Sequence, residues 1–335
     1  MSNLKKRLKV VQVGIGKMGK IWLDILRSDS RIQLVGLVDI DNQALEYSRK
    51  LCQGDQVKVG ENLLDILMET HPDFVLVVTP PFTRKSVICQ SLRSGCHVLC
   101  EKPLASTFND LKKIVKMADL SGKLLMVSQN YRYHAGAILV RSLVTEGTIG
   151  ELISIDVRYA DSPNFCDWRT IIDHPLLIDM SIHHLDLIRF LTGLDPIKVF
   201  CQETFDKNFY FKGSPTVKMI LGLDNSATVN YSGTWASTHI NSSLCGEWIL
   251  TGSKGIIKWN GEYEANLWQQ NRLMEKYVVE KEKKDKLELS LEFFIKTLND
   301  FKKHEIPNSY KDNLPTIKTA LSACRSAEKQ ELVII

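Results

Sequence analysis

Short apolar runs alternate with amphipathic stretches through the first part of the chain. The apolar runs are rich in valine, leucine and isoleucine, and each ends in glycine, proline or polar residues. Near-continuous apolar strands that alternate with helices are typical of a parallel sheet covered by helices on both faces. The predicted strands are residues 8–13, 32–38, 74–78, 97–100 and 124–127, and the predicted helices include residues 21–26, 63–68, 86–92 and 110–118.

The pattern changes after Glu151, where apolar and polar residues begin to alternate. The alternation runs through residues 152–159, 215–223 and 227–235, and residues 248–259 form a predicted hairpin that turns at Gly252-Ser253. A period of two indicates an antiparallel sheet with one buried face and one polar face. The expected fold is therefore α/β with two domains. Residues 1–128 form a doubly wound parallel sheet, and residues 129–335 form an α+β domain with a large, mostly antiparallel, open-faced sheet.

A glycine-rich loop follows the first predicted strand and opens the first helix. It fits G-x-G-x-x-G and consists of Gly14, Ile15, Gly16, Lys17, Met18 and Gly19. Glycines there allow a tight turn and a close approach of the backbone to a pyrophosphate, which the N–H groups at the helix start attract. Asp39 ends the second strand 20 residues after Gly19, as a dinucleotide-binding Rossmann domain requires.

Asp39 also bears on which dinucleotide binds. A carboxylate at that position accepts hydrogen bonds from the ribose hydroxyls and repels a 2′-phosphate, so NAD is favoured over NADP. The alternative interpretation is that Asp39 caps the helix that follows it.

One stretch of the second domain combines apolar positions with acidic residues and histidine. Residues 176–192 have helical spacing, with Asp179 four residues before His183 and Asp186 three residues after it. This spacing predicts that the three side chains lie on or near one helical face. A carboxylate beside a histidine fixes its tautomer and tunes its basicity, so His183 is a candidate general base. The alternative is that Asp179, His183 and Asp186 hold a metal, or that His174 does, although no further ligand cluster accompanies them.

Composition and charge narrow the class of function. Of the 335 residues, 44% are hydrophobic and 24% are charged, and the net charge is +4. This small excess, without a basic block, gives no support to nucleic-acid binding. The apolar runs are too short to span a membrane.

The eight cysteines are scattered and form no Cys-x-x-Cys pair. That distribution is typical of reduced, buried cysteines in a cytoplasmic protein. A zinc site at Cys96, His97 and Cys100 is an alternative, but the spacing differs from that of the common zinc sites.

Several short motifs occur in a fixed order along the chain. After the glycine loop come Thr79-Pro80, Glu101-Lys102-Pro103, Asn130-Tyr131-Arg132-Tyr133, Trp168-Arg169, and the helix with Asp179, His183 and Asp186. Their order resembles that of the glucose-fructose oxidoreductase / inositol dehydrogenase / MocA (Gfo/Idh/MocA) family over essentially the whole chain. The resemblance implies an NAD-dependent oxidoreductase that transfers a hydride between nicotinamide and a secondary alcohol or carbonyl of a sugar, cyclitol or related polyol.

The resemblance also implies roles for individual residues. Lys102 is expected to bind and polarise the reacting oxygen, His183 to take and return the hydroxyl proton, and Asp179 to support His183. The peptide bond between Lys102 and Pro103 is a candidate for the cis form. The expected cofactor contacts are Gly14, Gly16, Lys17, Met18, Gly19, Asp39, Thr79, Pro80, Glu101, Lys102 and Asn130. The expected substrate contacts are Tyr131, Arg132, Trp168, Arg169 and His239.

Two departures from the family pattern concern the substrate. Residues 171–177 stand where the family often has glycines before the Asp-x-x-x-His helix, so a bulkier backbone is expected to narrow or reshape the pocket. Arg84 stands where a histidine is common. It either favours an anionic ligand or is an ordinary exposed helix residue.

Two other functions stay open. Some relatives use tightly held NAD for transient oxidation during glycosidic-bond cleavage, or reduce imines or dihydrodiols. The second open function is that of a non-catalytic regulator that senses NAD and has the same fold. It is the least favoured, because Lys102 and His183 are both present. We expect a second copy of the chain to bind the polar face of the sheet in the second domain. The expected assembly is a homodimer or homotetramer.

Overall fold

The computed structural model describes residues 7–205, 210–238, 240–298 and 306–335. The chain divides into two compact units, one comprising Met1–Ser128 and Leu287–Asp312 (unit 1) and one comprising Gln129–Lys286 and Asn313–Ile335 (unit 2). Within the described ranges, no helix has both the length and the apolar character that crossing a bilayer requires.

Unit 1 is built on a six-stranded parallel sheet with the strand order β3-β2-β1-β4-β5-β6. The expected doubly wound parallel sheet is thereby confirmed. The pattern missed β3, because three residues with a single apolar side chain give no periodic signal. The strands are β1 (Leu8–Val13), β2 (Ile32–Val38), β3 (Lys58–Gly60), β4 (Phe74–Val77), β5 (His97–Glu101) and β6 (Leu125–Ser128).

The helices of unit 1 connect these strands, and most begin at a side-chain cap. Asp41 accepts a hydrogen bond from the N–H of Gln43, and Asn62 and Thr107 cap later helices in the same manner. The first helix differs because its cap residue is Gly16, which has no side chain to offer. The helices are α1 (Lys17–Ser28), α2 (Asn42–Leu51), α3 (Leu63–Thr70), α4 (Pro81–Arg93) and α5 (Phe108–Ser121).

Unit 2 contains a nine-stranded sheet with the order β14-β13-β12-β11-β7-β10-β9-β8-β15. The pairing of β7 with β10 is parallel and the other pairings are antiparallel, which confirms the expected mostly antiparallel sheet. The strands are β7 (Leu152–Ala160), β8 (Pro196–Thr204), β9 (Thr216–Leu223), β10 (Thr228–Thr234), β11 (Glu247–Gly252), β12 (Ile256–Trp259), β13 (Glu264–Gln269), β14 (Arg272–Val278) and β15 (Val333–Ile334).

One face of the unit 2 sheet is buried and the other is open. In β10, Val229 and Tyr231 are buried while Asn230 between them is exposed, as the period of two predicts. Helix α6 (Ala135–Thr145) packs against β12 and β13 on the buried side. Gly136 permits this approach, since a Cβ there would lie 1.9 Å from the carbonyl oxygen of Glu262.

The helix expected over residues 176–192 is present but not uniform. Leu177–Ser181 form a π-helical turn, and the α-helix α7 (Ile182–Thr192) continues from it. A π-turn is wider than an α-turn, so α-helical spacing does not describe the register between Asp179 and His183. α7 ends at Gly193, whose φ of 73° stops the helix.

The remaining helices are α8 (Lys286–Thr297) and α9 (Tyr310–Lys329). The sequence pattern assigns all of residues 129–335 to the second domain, but Leu287–Asp312 belong to unit 1. The reason is apolar packing: Leu287, Leu291 and Phe294 are buried in the cluster that contains Val10 and Phe74.

Candidate functional site

The glycine loop joins β1 to α1 and is held by the buried strand residue Gln12. The Nε2 group of Gln12 donates hydrogen bonds to the carbonyl oxygens of Gly14 at 3.0 Å and Gly19 at 2.7 Å. Gly14 has a φ of 98°, and a Cβ there would lie 2.6 Å from the carbonyl oxygen of Val78. A Cβ at Gly16 would meet nothing within 4 Å. Gly14 therefore leaves no room for a side chain where the loop packs against Val78. Gly16 leaves the backbone uncovered where the loop faces open space, as pyrophosphate binding requires.

Asp39 follows β2 and directs its carboxylate towards the glycine loop. Its Oδ2 accepts the N–H of Ile15 at 2.6 Å, and its Oδ1 accepts the N–H of Asp41 at 3.0 Å. The cap of α2 is Asp41, so the interpretation of Asp39 as that cap is wrong. The carboxylate is held beside the loop that would bind the pyrophosphate, where it fits the adenosine ribose of a dinucleotide.

Two further predicted contacts follow β4, which pairs directly with β5. Thr79 and Pro80 form the turn between β4 and α4. The Thr79 Oγ1 atom is buried and has no hydrogen-bond partner among the described residues. A buried hydroxyl without a protein partner is a group that a bound molecule can satisfy.

Glu101 and Lys102 follow β5. The Glu101 carboxylate is buried; it accepts the indole N–H of Trp22 at 2.8 Å and the backbone N–H of Lys102 at 3.2 Å. Lys102 is half-buried, and its peptide bond to Pro103 is cis, as predicted. Trp22 lies on α1, so one hydrogen bond connects the helix of the glycine loop to the Lys102 segment. The sequence pattern missed this contact, because the two residues are 79 positions apart.

The unit 1 residues fit a dinucleotide. The glycine loop follows β1, Thr79 follows β4 and Lys102 follows β5, which are three adjacent parallel strands. Their carboxyl ends lie at one edge of the sheet, and the strand order reverses between β1 and β4. Lys17 and Met18 begin α1 at this edge, whereas Asn130 lies in unit 2 in a short helical turn, Asn130–Tyr133.

The alternative metal sites have other roles in the structure. Within the residues the structure describes, no group of three His, Cys, Asp or Glu side chains is arranged to hold a metal. Burial raises the pKa of the Cys96 thiol to about 11, and His97 accepts a hydrogen bond from the N–H of Leu124. The ring nitrogens of His174 lie 2.7 Å from Glu203 and 3.1 Å from Glu328.

Of the two adjacent histidines in α7, His184 is committed to structural hydrogen bonds. It is fully buried, with Nδ1 3.0 Å from the Tyr231 hydroxyl and Nε2 3.0 Å from the carbonyl oxygen of Leu244. A carbonyl only accepts, so Nε2 carries the hydrogen and Nδ1 accepts from Tyr231. Burial lowers the pKa of His184 to about 4, which keeps the ring neutral.

His183 has a different environment. It is 5% exposed, and its ring stacks on that of Tyr131 with centroids 4.0 Å apart and planes 7° apart. Burial raises the pKa of the Tyr131 phenol well above its usual range, so the phenol stays neutral. The stack fixes the plane of the His183 ring, and Tyr131 comes from the turn that also carries Asn130 and Arg132.

Asp179 is bound by Arg169. The Nε of Arg169 lies 2.6 Å from Asp179, and its Nη1 lies 2.6 Å from Asp167. The guanidinium also lies over the rings of Phe165 and Trp168. Burial alone would lower the pKa of Arg169, but the two carboxylates raise it. Arg169 and Trp168, expected as substrate contacts, are thus part of the environment of Asp179.

Asp186 is bound by Arg132 and Thr316. Arg132 makes two hydrogen bonds to the carboxylate, at 2.6 and 2.7 Å, and Thr316 makes a third at 2.9 Å. The side chains of Arg132 and Asp186 are 8% and 2% exposed, so this is a buried ion pair. Arg132 was expected to contact substrate, and its guanidinium holds this carboxylate instead of being presented at the surface. His239, the last expected substrate contact, lies outside the described residues.

Arg84 contradicts the interpretation of an exposed helix residue. It is 3% exposed, and its guanidinium donates hydrogen bonds to the backbone carbonyl oxygens of Thr79 and Pro103. One acceptor belongs to Thr79, a predicted cofactor contact. The other belongs to Pro103, which follows the predicted active-site residue Lys102.

Comparisons with known proteins agree with this geometry. Residues 8–129 match the model described as an oxidoreductase family with an NAD-binding Rossmann fold, and residues 138–258 match the GFO/IDH/MocA C-terminal domain. Uncharacterized protein y4oX of Sinorhizobium fredii (strain NBRC 101917 / NGR234) is 28% identical over 236 residues, which cover 68% of this chain and 66% of that protein. D-glucoside 3-dehydrogenase of Escherichia coli (strain K12) is 26% identical over 207 residues, which cover 60% of this chain and 58% of that protein. The chain therefore spans less than two thirds of either relative.

Solved structures share the fold. An oxidoreductase from Agrobacterium radiobacter, in complex with NAD+, L-tartaric acid and magnesium, aligns with a TM-score of 0.87 at 18% identity, over 98% of both chains. At that identity the likeness concerns the fold alone. The two domain models match in order over most of the sequence, and the chain belongs to the Gfo/Idh/MocA family of NAD(P)-binding oxidoreductases.

Proposed function

We propose that this chain is an NAD-dependent oxidoreductase that transfers a hydride between nicotinamide and a secondary alcohol or carbonyl of a sugar, cyclitol or related polyol. The observation that carries the proposal is the position of Lys102. It follows β5 at the sheet edge where Gly14 follows β1 and Thr79 follows β4. A cation at that edge is well placed to hold the oxygen of a molecule that reacts with a bound cofactor.

Lys102 and His183 have complementary roles in the proposed reaction. A bound NAD supplies the hydride acceptor. The ammonium group of Lys102 binds the substrate oxygen and stabilises the negative charge that develops on it. His183 takes the hydroxyl proton during oxidation and returns it during reduction. His184 is unsuited to that role, because both of its ring nitrogens are engaged and its low pKa keeps it from holding a proton.

Asp179 supports His183 in this proposal, and Arg169 modulates that support. A carboxylate near a histidine raises the basicity of the ring, and a neighbouring cation offsets part of the effect. Arg169 binds Asp179 at 2.6 Å and is a permanent cation. The Asp167–Arg169–Asp179 group therefore holds the Asp179 carboxylate in place while limiting the charge it presents.

The relatives guide the choice of substrates to test. One of them is named D-glucoside 3-dehydrogenase, so glucosides belong in a panel with cyclitols, aldoses and phosphorylated sugars. The experiment follows the absorbance of reduced nicotinamide with NAD and each compound. Wild type is compared with His183→Asn, and His71→Asn is the control because His71 is exposed and lies in unit 1. We expect turnover of at least one compound by wild type and by the control, and loss of turnover in His183→Asn with NADH binding retained.

Three outcomes would contradict the proposal. Full activity in His183→Asn would remove the assigned base. Tight NAD binding, together with glycoside cleavage and no net change in NADH, would favour transient oxidation by held NAD. Binding of NAD without any reaction across the panel would favour a regulator.

Cytoplasmic location and homo-oligomerisation are parts of the same proposal. All eight cysteines are free thiols in the structure, as a reducing compartment would keep them. The open face of the unit 2 sheet is the proposed contact surface between copies.

A further inference from the structure

We propose that Arg84 is a positioning residue that holds the Lys102 segment and the Thr79 turn in one fixed arrangement. The inference rests on the proposed role of Lys102. Arg84 lies on α4, which begins directly after the Thr79-Pro80 turn.

The burial of Arg84 is the first observation. The buried positions of α4 include Pro81, Arg84, Ile88 and Ser91, which share the helix face that packs inward. A guanidinium on that face must have its N–H groups satisfied, because burying a charged group without partners costs several kcal/mol. An apolar residue of similar length would fill the same space without that cost, so packing alone does not explain an arginine at this position.

The identity of the two acceptors is the second observation. One N–H group of Arg84 donates to the carbonyl oxygen of Thr79, and another donates to that of Pro103. Thr79 follows β4 and Pro103 follows β5, two strands that pair directly, with Val77 opposite Cys100. A single planar side chain therefore connects the chain segments that leave two neighbouring strands at the same sheet edge.

The Lys102 segment is thus held from two sides. Trp22 binds the Glu101 side chain, which in turn accepts the N–H of Lys102. Arg84 binds the carbonyl of Pro103 on the other side. Lys102 lies between these two attachments in the sequence. They fix the backbone from which its long, flexible side chain extends. Misplacing a catalytic group by about 1 Å can reduce a rate by about a hundredfold, so such attachments have a catalytic effect without touching substrate.

The test compares Arg84→Met, Arg84→Lys and the control Arg93→Met, which changes an exposed arginine at the end of the same helix. Amide hydrogen exchange measures the mobility of the backbone without any substrate. In Arg84→Met we expect exchange about tenfold faster in peptides covering residues 79–83 and 101–106, with no change in β6. Arg84→Lys should recover part of the protection because it retains donors, and Arg93→Met should match wild type.

Catalysis provides the second readout. With the substrate that the panel identifies, Arg84→Met should lower kcat by about tenfold to a hundredfold and change KM much less. NADH binding, followed by fluorescence, should weaken less than kcat falls. A merely structural role would instead raise exchange throughout unit 1 and lower thermal stability in proportion.

Three results would overturn the inference: unchanged exchange in residues 101–106 of Arg84→Met, an equal increase across unit 1, or a kcat of Arg84→Met equal to that of wild type. Lys102→Met, measured in parallel, separates this inference from the proposed function. If Lys102→Met is active, the proposed role of Lys102 fails whatever Arg84 does. If it is inactive while Arg84→Met keeps full kcat, only the inference about Arg84 fails.

Discussion

Three arginines, two of them buried and one half-buried, show how a single side chain fixes its surroundings. Arg132 binds Asp186, Arg169 binds Asp179, and Arg84 binds two backbone carbonyls. Removing one partner of a buried ion pair leaves an uncompensated charge and costs about 3–5 kcal/mol. Asp179 and Asp186, on the π-turn and on α7, are therefore each bound to an arginine.

The cofactor preference depends on a single side chain. Asp39→Asn keeps an oxygen that can accept the N–H of Ile15 but removes the negative charge. We expect wild type to bind NADH more tightly than NADPH. In the variant the ratio of the NADPH to the NADH dissociation constant should fall about tenfold, because the repulsion of the 2′-phosphate is relieved. Fluorescence titration of both reduced cofactors measures the ratio.

Asp24→Asn is a suitable control for that titration, since Asp24 is an exposed residue of α1. It should leave the NADH to NADPH ratio unchanged. Tighter binding of NADPH by wild type would contradict the assignment of Asp39.

The sequence predicts residues that act through local spacing and misses those that act through distant partners. The glycine loop and Asp39 follow from a motif that spans a single strand-helix-strand unit. The partner of Arg132 is 54 residues away, and the second acceptor of Arg84 is 19 residues away. Backbone carbonyls carry no sequence signature, so no pattern in the chain could have indicated that Arg84 would be buried.

At the scale of elements, the π-turn Leu177–Ser181 is the feature that the periodic pattern could not reveal. Apolar spacing predicts a helix but does not distinguish an α-turn from a π-turn. Residues 212–213 contact the segment before this turn. Lys212 forms an ion pair with Asp173, and a Cβ at Gly213 would lie 2.0 Å from the carbonyl oxygen of Asp173. The backbone of residues 172–173 therefore lies close to Gly213, which leaves no room for a side chain at that position.

His174 ties the same segment to two other elements and makes its stability depend on pH. Its ring lies between Glu203 of β8 and Glu328 of α9. Burial alone would lower the pKa of His174, but the two carboxylates outweigh it and raise the pKa to about 9. The thiols of Cys201 and Cys324 have pKa values raised by burial and stay neutral in this range.

Because the folded-state pKa of His174 lies above its usual 6.5, folding favours the protonated ring. The resulting stability is fully present below about pH 6.5 and is lost as the pH rises through about 9. We expect His174→Gln to lower the free energy of unfolding by about 2–3 kcal/mol at pH 6 and by much less at pH 10. Urea unfolding at the two pH values measures this difference.

His71→Gln, at an exposed site, should show no such pH dependence. If His174→Gln destabilised the protein equally at pH 6 and pH 10, the ion pairs of His174 would not contribute in the manner proposed.

At the scale of the whole molecule, the open face of the unit 2 sheet is the proposed contact surface between copies of the chain. It carries exposed apolar side chains in the middle of the sheet, among them Ile220, Phe200 and Ile249. Charges of both signs surround them, including Asp156 and Lys218. A concavity of about 780 Å³ lies on this face. A surface with apolar centres and both signs of charge can complement a second copy of itself about a two-fold axis.

We therefore expect the protein to form a homodimer or homotetramer through this face, and we expect Ile220→Glu to disrupt it. Ile220 is 56% exposed on β9, so a glutamate there leaves the core intact but puts a negative charge within the apolar centre of the contact. Light scattering coupled to size exclusion should give the mass of a single chain for this variant, while thermal stability reports that the fold is kept.

Leu120→Glu, which changes an exposed leucine of α5 in unit 1, should leave the oligomer unchanged. A wild-type protein that has the mass of one chain at working concentration would rule out this association. An oligomer that survives Ile220→Glu would instead place the contact on another surface.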